Sequence, residues 1–318
     1  NSRRELQNAL GHNLLVSVDS LSQLDDLGAI NKGGKVMVRF NPGIGAGHHA
    51  KVVTAGKETK FGVNPGQMDE VFALLKKHDM TLAGVNQHIG SLFMEAEGYL
   101  NAAEVLLHLA EQLPKGALDT LEVIDFGGGF GIPYLPEEEP LNLMEIGEGI
   151  HQLYDEMMIP SGLGNTAIMT ESGRAMTGPA GWLVSTVLHE KKTYKDYIGL
   201  DSCMANLMRP AMYGSYHHIT IAGKETAPCD HVYDITGSLC ENNDKFAIDR
   251  KLPKIDIGDL VIIHDTGAHG SAMGFNYNGK LWCAELLLKE DHTVELIRRA
   301  QTLDDYFATL KYPGSLIK

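Results

Sequence analysis

The first half of the chain alternates short apolar strands with amphipathic helices, and this alternation restricts the fold more than any other feature. The candidate strands are NLLVSVDS (13–20), KVMVRF (35–40), TLAGVNQHIG (81–90), LEVIDF (121–126) and TAIMTES (166–172). Helical periodicity fills gaps such as 67–78, where Val71, Leu74 and Leu75 share one face, and 96–113. Because strands that alternate with helices pair in parallel, the pattern predicts a parallel sheet with crossover helices.

After about Arg174 the pattern changes to β-branched segments without helical spacers. These segments are GWLVSTVLHEK, DYIGLDS, HHITIAG, HVYDITG and GDLVIIHD. Such a run of strands is typical of an antiparallel β domain. We therefore predict an α/β plus β chain with a first domain at 1–175 and a second at 176–318.

Size and charge exclude several classes of protein. The 318 residues, 43% of them hydrophobic, are enough for one large core and a smaller one. With 27 basic against 41 acidic residues and no Lys/Arg block, a nucleic-acid partner is disfavoured. No apolar run reaches the about 20 residues that cross a bilayer, so we expect no membrane association and a cytoplasmic location. The four cysteines form no CxxC pair, which argues against structural zinc and a disulfide framework.

Three consecutive candidate strands end in residues suited to an anion site. His88 and Ser91 follow one strand, Gly127–Gly129 follow the next, and Glu171 with Arg174 follows the last. Main-chain N–H groups of glycines can approach a phosphate, and a hydroxyl and a guanidinium can complete the site. Taken alone, the glycines are equally typical of a tight turn, and His88 of a core histidine. Glu171 needs a partner, which Arg174 or a protonated ring nitrogen would supply.

A metal-dependent barrel hydrolase is the main alternative from a different class of site. Its candidate ligands are His48, His49, His88, His217, His218, His264 and His269. Histidine is the commonest metal ligand. However, no HxH pair occurs and only His88 ends a recognised barrel strand, so we predict no metal site.

Six motifs identify a family resemblance: QHIGS, VIDFGGGFG, TESGR, RPAMY, CENND and GFNYN. Their order and spacing resemble the fold-type III pyridoxal-phosphate decarboxylases of ornithine, lysine, arginine and diaminopimelate, and are most similar to the diaminopimelate branch. The resemblance implies a partial (β/α)8 TIM barrel of the alanine racemase type, then a β domain, in homodimers with shared active sites. It implies pyridoxal 5'-phosphate as cofactor and decarboxylation of meso-2,6-diaminopimelate to L-lysine, the last step of lysine biosynthesis. Ornithine, arginine or carboxynorspermidine as substrate, and a non-catalytic homologue, are the alternatives.

By this similarity, the cofactor-binding residues are His88, Ser91, Gly127, Gly128, Gly129, Glu171, Ser172, Gly173, Arg174 and Tyr277. His88 would stack on the pyridine ring, and Glu171 would keep the pyridine nitrogen protonated. Ser91, the glycines and the segment through Arg174 would hold the phosphate, and Tyr277 would reach the phosphate and substrate region.

The resemblance also implies the substrate-binding residues Arg174, Arg209, Tyr213, Glu241 and Tyr277. Arg209 and Tyr213 would bind the distal carboxylate, since a guanidinium suits that group, and Glu241 would bind the distal ammonium. Cys240 would be the catalytic proton donor in the neighbouring subunit's site, which accounts for a thiol beside Glu241, Asn242 and Asn243. Lys60 and Asp244 match a salt bridge across the dimer interface.

Three features depart from the family pattern. Ser172 stands where proline is usual and His269 where tyrosine is usual, and neither removes an essential charge. About five βα units precede the β domain, whereas the barrel has eight. The family's lysine that binds the cofactor covalently lies near the start of the barrel, and no lysine here has that context. We therefore expect an N-terminally truncated fragment that is inactive by itself.

Overall fold

The computed structural model describes residues 1–43, 46–47, 55–56 and 58–311. The chain divides into two compact units. Unit one comprises Asn1–Pro133 with Glu137–Met176, and unit two comprises Tyr134–Pro136 with Thr177–Lys318.

Unit one is built on a five-stranded parallel sheet in the order β1-β2-β4-β6-β7. Its elements are α1 (Arg3–Gly11), β1 (Ser17–Val18), α2 (Leu21–Ile30), β2 (Lys35–Arg39), β3 (Ala46–Gly47), α3 (Met68–Lys77), β4 (Thr81–Asn86), β5 (Gly90–Ser91), α4 (Ala96–Glu111), α5 (Lys115–Leu118), β6 (Val123–Asp125), α6 (Leu143–Leu153), β7 (Ala167–Met169) and α7 (Arg174–Thr177). Strands β3 and β5 form a separate parallel pair. The sheet strands lie in the five predicted segments, and their parallel pairing is confirmed.

Local sequence signals explain where the helices of unit one begin and which face they bury. Ser20 caps α2 by accepting a hydrogen bond from the backbone N–H of Gln23, and Asn142 caps α6 in the same way. Helix α3 buries Val71 and Leu75, which are one turn apart, against the core. The central strands are continuous apolar runs because parallel sheets are covered on both faces.

Unit two contains a six-stranded sheet in the order β10-β13-β8-β9-β11-β12. Its elements are β8 (Leu183–Lys192), β9 (Asp196–Leu200), α8 (Arg209–Tyr213), β10 (Ile219–Ile221), β11 (His231–Thr236), β12 (Lys245–Leu252), β13 (Leu260–Ile263), β14 (Glu285–Leu288), β15 (Val294–Arg298) and α9 (Leu303–Phe307). Strands β14 and β15 form a separate hairpin. Four of the five pairings in the large sheet are antiparallel, as predicted.

The fifth pairing in that sheet is parallel and joins β9 to β11. Helix α8 and strand β10 lie between these two strands in the chain, so the connection is long enough to bring β11 back in the same direction. The pattern of apolar residues alone does not show that these two strands pair in parallel.

Across the described ranges, every helix falls short of the length and apolarity needed to span a bilayer.

Candidate functional site

The carboxyl ends of three adjacent strands bring the predicted cofactor residues of unit one to one rim of the sheet. Asn86 of β4 lies beside Asp125 of β6, which lies beside Met169 of β7. The residues that follow each strand therefore leave the sheet at the same level. This arrangement confirms that the predicted strand ends are neighbours, and it is where sites form in parallel α/β folds.

The loop Gly127–Gly129 after β6 is packed tightly against its two neighbours. A Cβ atom on Gly127 would lie 2.2 Å from the carbonyl oxygen of Gln87, and one on Gly128 would lie 2.1 Å from that of Glu171. Gly127 and Gly129 also have positive φ angles of 74° and 110°. Backbone packing alone therefore requires glycine here. The glycines are consistent with a phosphate site but are fully explained by the turn.

Arg174 and Ser91 provide a stronger indication of an anion site. Arg174 is 7% exposed, and its Nη2 donates a hydrogen bond to Ser91 Oγ at 3.0 Å. Arg174 begins α7 directly after the β7 loop, and Ser91 lies in β5 after the end of β4. A buried guanidinium beside a hydroxyl offers several donors from two strand ends, which suits a phosphate group.

His88 and Glu171 lie side by side above the same rim. The backbone N–H of Gly128 donates to His88 Nδ1 at 3.0 Å, while Glu171 Oε2 is 3.6 Å from the same nitrogen. An amide can only donate and a carboxylate can only accept, so Nδ1 serves one of them at a time, and the shorter contact is to Gly128. When the ring donates, His88 lowers the pKa of Glu171, and partial burial opposes this. A carboxyl group whose pKa is lowered in this way is ionised at neutral pH.

Sequence reasoning missed two charged residues of this rim. Arg39 ends β2, donates from Nη2 to the His88 carbonyl at 3.2 Å and lies over the Phe61 ring at 4.8 Å. Burial lowers the pKa of Arg39, and nearby carboxylates partly offset this. The sequence signal for Arg39 was a charged residue at the end of the apolar strand KVMVR.

Asp125, which ends β6, is the second missed residue. Its carboxyl group is 1% exposed and accepts a hydrogen bond from the Gly127 N–H at 2.8 Å. Its other oxygen has no hydrogen-bond partner among the described residues. Burial raises the pKa of Asp125 to about 6, although the Gly127 N–H opposes the shift. Here the signal was the charged residue at the end of LEVID.

In unit two, the short helix α8 positions Arg209 and Tyr213. Pro210 lies in the first turn of the helix, and Gly214, with φ of 64°, ends it. Arg209 and Tyr213 are four residues apart, so they share one face. Arg209 is 2% exposed, its Nη1 lies 2.7 Å from His217 Nε2, and its guanidinium lies 4.6 Å from the centre of the Tyr134 ring. A charge buried to this degree needs polar partners, so Arg209 is not a solvated surface residue.

A loop of unit two carries Cys240 and Glu241. Cys240 is exposed, whereas Cys203 is buried. Tyr277 Oη donates to Glu241 Oε1 at 2.5 Å, and this contact raises the pKa of Tyr277. The structure thus places two predicted substrate residues in contact and leaves the thiol at a polar surface.

Asp244 anchors that loop from inside. It is 3% exposed and accepts hydrogen bonds from the backbone N–H groups of Met204 at 2.6 Å and Leu239 at 2.8 Å. Burial raises the pKa of Asp244, and these amides oppose the shift. Lys60 is exposed and lies over the Phe61 ring at 5.2 Å. The salt bridge between Lys60 and Asp244 of different subunits stays a prediction.

The remaining predicted positions are less constrained. Ser172 is partly exposed, Gly173 is exposed, and a Cβ on Gly173 would meet nothing within 4 Å. His269 is exposed and has a positive φ of 57°, a conformation that histidine adopts more readily than most residues.

The alternative metal ligands are arranged as hydrogen-bonding groups where the structure describes them. His217 contacts the His264 carbonyl, and His264 Nε2 lies 2.9 Å from Thr220 Oγ1. Within the described residues, no three His, Cys, Asp or Glu side chains are grouped to hold a metal ion. His48 and His49 lie outside those residues.

Comparison with known proteins agrees with this arrangement. Residues 1–178 match the family described as pyridoxal-dependent decarboxylase, pyridoxal binding domain. The diaminopimelate decarboxylase of Methanothermobacter thermautotrophicus (strain Delta H) is 38% identical over 315 residues, which cover 99% of this chain and 73% of that protein. Protein TabA of Pseudomonas amygdali pv. tabaci is 34% identical over 311 residues, covering 98% of this chain and 72% of that protein.

A solved structure extends the comparison to the fold. The crystal structure of diaminopimelate decarboxylase from Helicobacter pylori complexed with L-lysine has a TM-score of 0.86 at 30% identity, covering 96% of this chain and 76% of that chain. Together with the two sheets described above, this similarity confirms the predicted fold class, which is part of a TIM-barrel domain followed by a β domain.

Proposed function

Because the chain belongs to the pyridoxal-dependent decarboxylases, we propose that it removes one carboxyl group of meso-diaminopimelate, giving L-lysine and CO2, with pyridoxal 5'-phosphate as cofactor. The observation that carries the substrate assignment is the buried Arg209 on the same helical face as Tyr213. Ornithine and arginine have no distal carboxylate for such a guanidinium to bind. Relatives described as diaminopimelate decarboxylases support the same assignment.

The residues of unit one fit pyridoxal phosphate. Arg174 and Ser91 would bind the phosphate, since they present a cation and a hydroxyl 3.0 Å apart. Glu171, half exposed and ionised, would pair with the pyridine nitrogen, and the His88 ring, oriented by the Gly128 N–H, would lie against the ring face. When bound, the cofactor withdraws electrons from the α-carbon, which makes the loss of CO2 feasible.

The residues of unit two would hold and protonate the substrate. Arg209 and Tyr213 would bind the carboxylate that is retained in the product, and Glu241, oriented by Tyr277, would bind the distal ammonium. Cys240 would then donate its thiol proton to the carbon that has lost CO2. A proton from solvent would restore the thiol before the next turnover.

We also propose that the protein forms a homodimer in which Cys240 and Glu241 act in the partner's site. We propose a cytoplasmic location as well. The support for the dimer is the exposure of Cys240, together with the anchoring of its loop by Asp244 from the inside. A catalytic thiol on the surface of one chain is consistent with a site completed by a second chain. The cytoplasmic location rests on composition alone.

The test of the function is CO2 release from meso-diaminopimelate by the full-length protein supplied with pyridoxal phosphate. We expect Arg209→Ala to lower kcat/KM by about 30- to 5,000-fold, because truncating one partner of a buried charge pair costs about 2 to 5 kcal/mol. Arg3→Ala, at an exposed side chain of unit one, is the control and should leave kcat/KM unchanged.

The outcomes separate the alternatives. Release from ornithine or arginine but not from meso-diaminopimelate would move the assignment to another decarboxylase of the family. No release from any basic amino acid would contradict a catalytic function altogether.

A further inference from the structure

We propose that His217 is a positioning residue, whose neutral imidazole orients the Arg209 guanidinium toward the distal carboxylate of the substrate. The proposal rests on the proposed function, because it concerns the residue that would bind that carboxylate. The sequence suggests His217 only as a candidate metal ligand, and the geometry around it points to a different role.

The two contacts of the His217 ring fix one tautomer. Its Nε2 lies 2.7 Å from Nη1 of Arg209, and a guanidinium can only donate, so Nε2 must be unprotonated. Its Nδ1 lies 2.8 Å from the carbonyl oxygen of His264, and a carbonyl can only accept, so Nδ1 must carry the hydrogen. Both partners therefore require the same neutral imidazole, with its acceptor directed at Arg209.

Burial makes these contacts difficult to replace. His217 is 0% exposed and Arg209 is 2% exposed, so water is a poor substitute for either partner. The backbone of His217 is held as well, because Arg250 Nη1 donates to its carbonyl at 3.0 Å. The adjacent segment pairs with β13, where the His264 N–H donates to the His218 carbonyl. The ring is consequently presented by a rigid part of the β sheet.

The Arg209 guanidinium is restrained at its edge and on its face. His217 contacts the edge, and Tyr134 covers the face at 4.6 Å. Tyr134 and His217 in turn pack edge to face with ring centres 5.2 Å apart. The two rings therefore restrain the plane of the guanidinium. A guanidinium with a fixed plane is suited to bidentate binding of a carboxylate.

Two substitutions separate the two ring contacts. In His217→Gln the amide oxygen can take the place of Nε2 and accept from Arg209, whereas in His217→Asn the amide nitrogen can take the place of Nδ1 and donate to the His264 carbonyl. The Asn side chain is too short to reach Arg209. Only the Gln variant should therefore preserve the orientation of Arg209.

The experiment measures ligand binding as well as turnover in the full-length protein loaded with cofactor. L-lysine and cadaverine are the probes, because they share the carbon chain and differ in the retained carboxylate. We expect His217→Asn to weaken L-lysine binding by about 10- to 100-fold, the range for losing one hydrogen bond to a charged group, and to raise KM for meso-diaminopimelate more than it changes kcat. His217→Gln should stay within about threefold of the parent protein, and cadaverine inhibition should be unchanged in both variants.

A double-mutant cycle completes the test. In an Arg209→Ala background, His217→Asn should weaken L-lysine binding no further, since its effect would act through Arg209. Equal losses in the Asn and Gln variants, or parallel losses for L-lysine and cadaverine, would overturn the positioning role and leave His217 a structural residue. Failure of the parent protein to decarboxylate meso-diaminopimelate would instead reject the proposed function, whatever the variants do.

Discussion

The proposed cofactor residues of unit one and the proposed substrate residues of unit two are held in place by different means. In unit one the functional groups follow three adjacent parallel strands, and main-chain contacts hold their loops against one another. In unit two a five-residue helix and a surface loop carry them, and side-chain hydrogen bonds such as the one that Arg209 donates to His217 restrain them. The first group is thus determined by sheet topology and the second by a network of side chains. Substitutions of the loop glycines of unit one should affect folding, whereas substitutions in the side-chain network of unit two should affect chemistry.

Cys240→Ala should show this separation most clearly. We expect kcat for meso-diaminopimelate to fall by about 100- to 10,000-fold, the range for losing a general acid. The dissociation constant of pyridoxal phosphate, measured by equilibrium dialysis, should not change, because Cys240 is not among the residues proposed to bind the cofactor. Cys229→Ala, at another exposed thiol of unit two, should retain full activity.

The same variant tests the shared site. Mixed dimers of Cys240→Ala with Arg174→Ala subunits should regain activity, since one of the two sites would then combine intact groups from both chains. If mixing restores nothing although heterodimers form, Cys240 serves its own subunit. A fall in cofactor affinity in Cys240→Ala would contradict the separation between the two units.

Gly128→Ala should destabilise unit one with or without cofactor. The added Cβ would lie 2.1 Å from the Glu171 carbonyl oxygen, so the backbone must move at a cost of about 2 to 3 kcal/mol. Gly173→Ala is the matched control in the adjacent loop, because nothing lies within 4 Å of its added Cβ. Urea denaturation of the cofactor-free protein measures the difference, and equal stability of the two variants would refute the packing argument.

Asp125→Asn should have the smallest effect, which depends on pH. The pKa of Asp125 rises from an ordinary value of 3.8 to about 6 in the folded protein because of burial. The folded state therefore binds this proton more tightly, and the group's contribution to stability is present below about pH 4 and is lost as pH rises through 6. Relative to Asp125→Asn, the parent protein should lose about 1 to 2 kcal/mol of unfolding free energy between pH 4 and pH 7.

The control for this pH profile is Asp25. His78 and Lys77 lower the pKa of this carboxylate by hydrogen bonding, so its contribution has the opposite sign and is lost as pH falls. A profile for Asp125→Asn that parallels the parent protein from pH 4 to pH 7 would mean that Asp125 is ionised throughout that range.

The strands of unit one could be predicted because each is a short apolar run bounded by turn residues. Their ends could also be predicted to meet, since parallel strands in neighbouring positions share a rim. The burial of Asp125 and Arg39 could not be predicted. A charged residue at the end of an apolar run is usually solvated, and only the packing of neighbouring loops shows that Asp125 is 1% exposed.

Unit two was less accessible to prediction because its contacts are distant in sequence. The parallel pairing of β9 with β11 depends on the path of the chain through α8 and β10. The proposed role of His217 depends on Arg209, eight residues away, and on the carbonyl of His264, which directly follows β13. A histidine in an apolar segment is compatible with a core position, a metal site or a positioning role until its partners are known.

The close packing around Gly127–Gly129 affects how a mutational scan of this protein should be interpreted. A library selected for growth would find these positions intolerant, and the usual interpretation would assign them to the cofactor. The overlaps with the carbonyl oxygens of Gln87, Glu171 and Gly90 give the same intolerance when no ligand is present. Selection for abundance alone, for example through a fused fluorescent reporter, would distinguish residues that shape the loop from residues such as Arg174 that would bind what the loop surrounds.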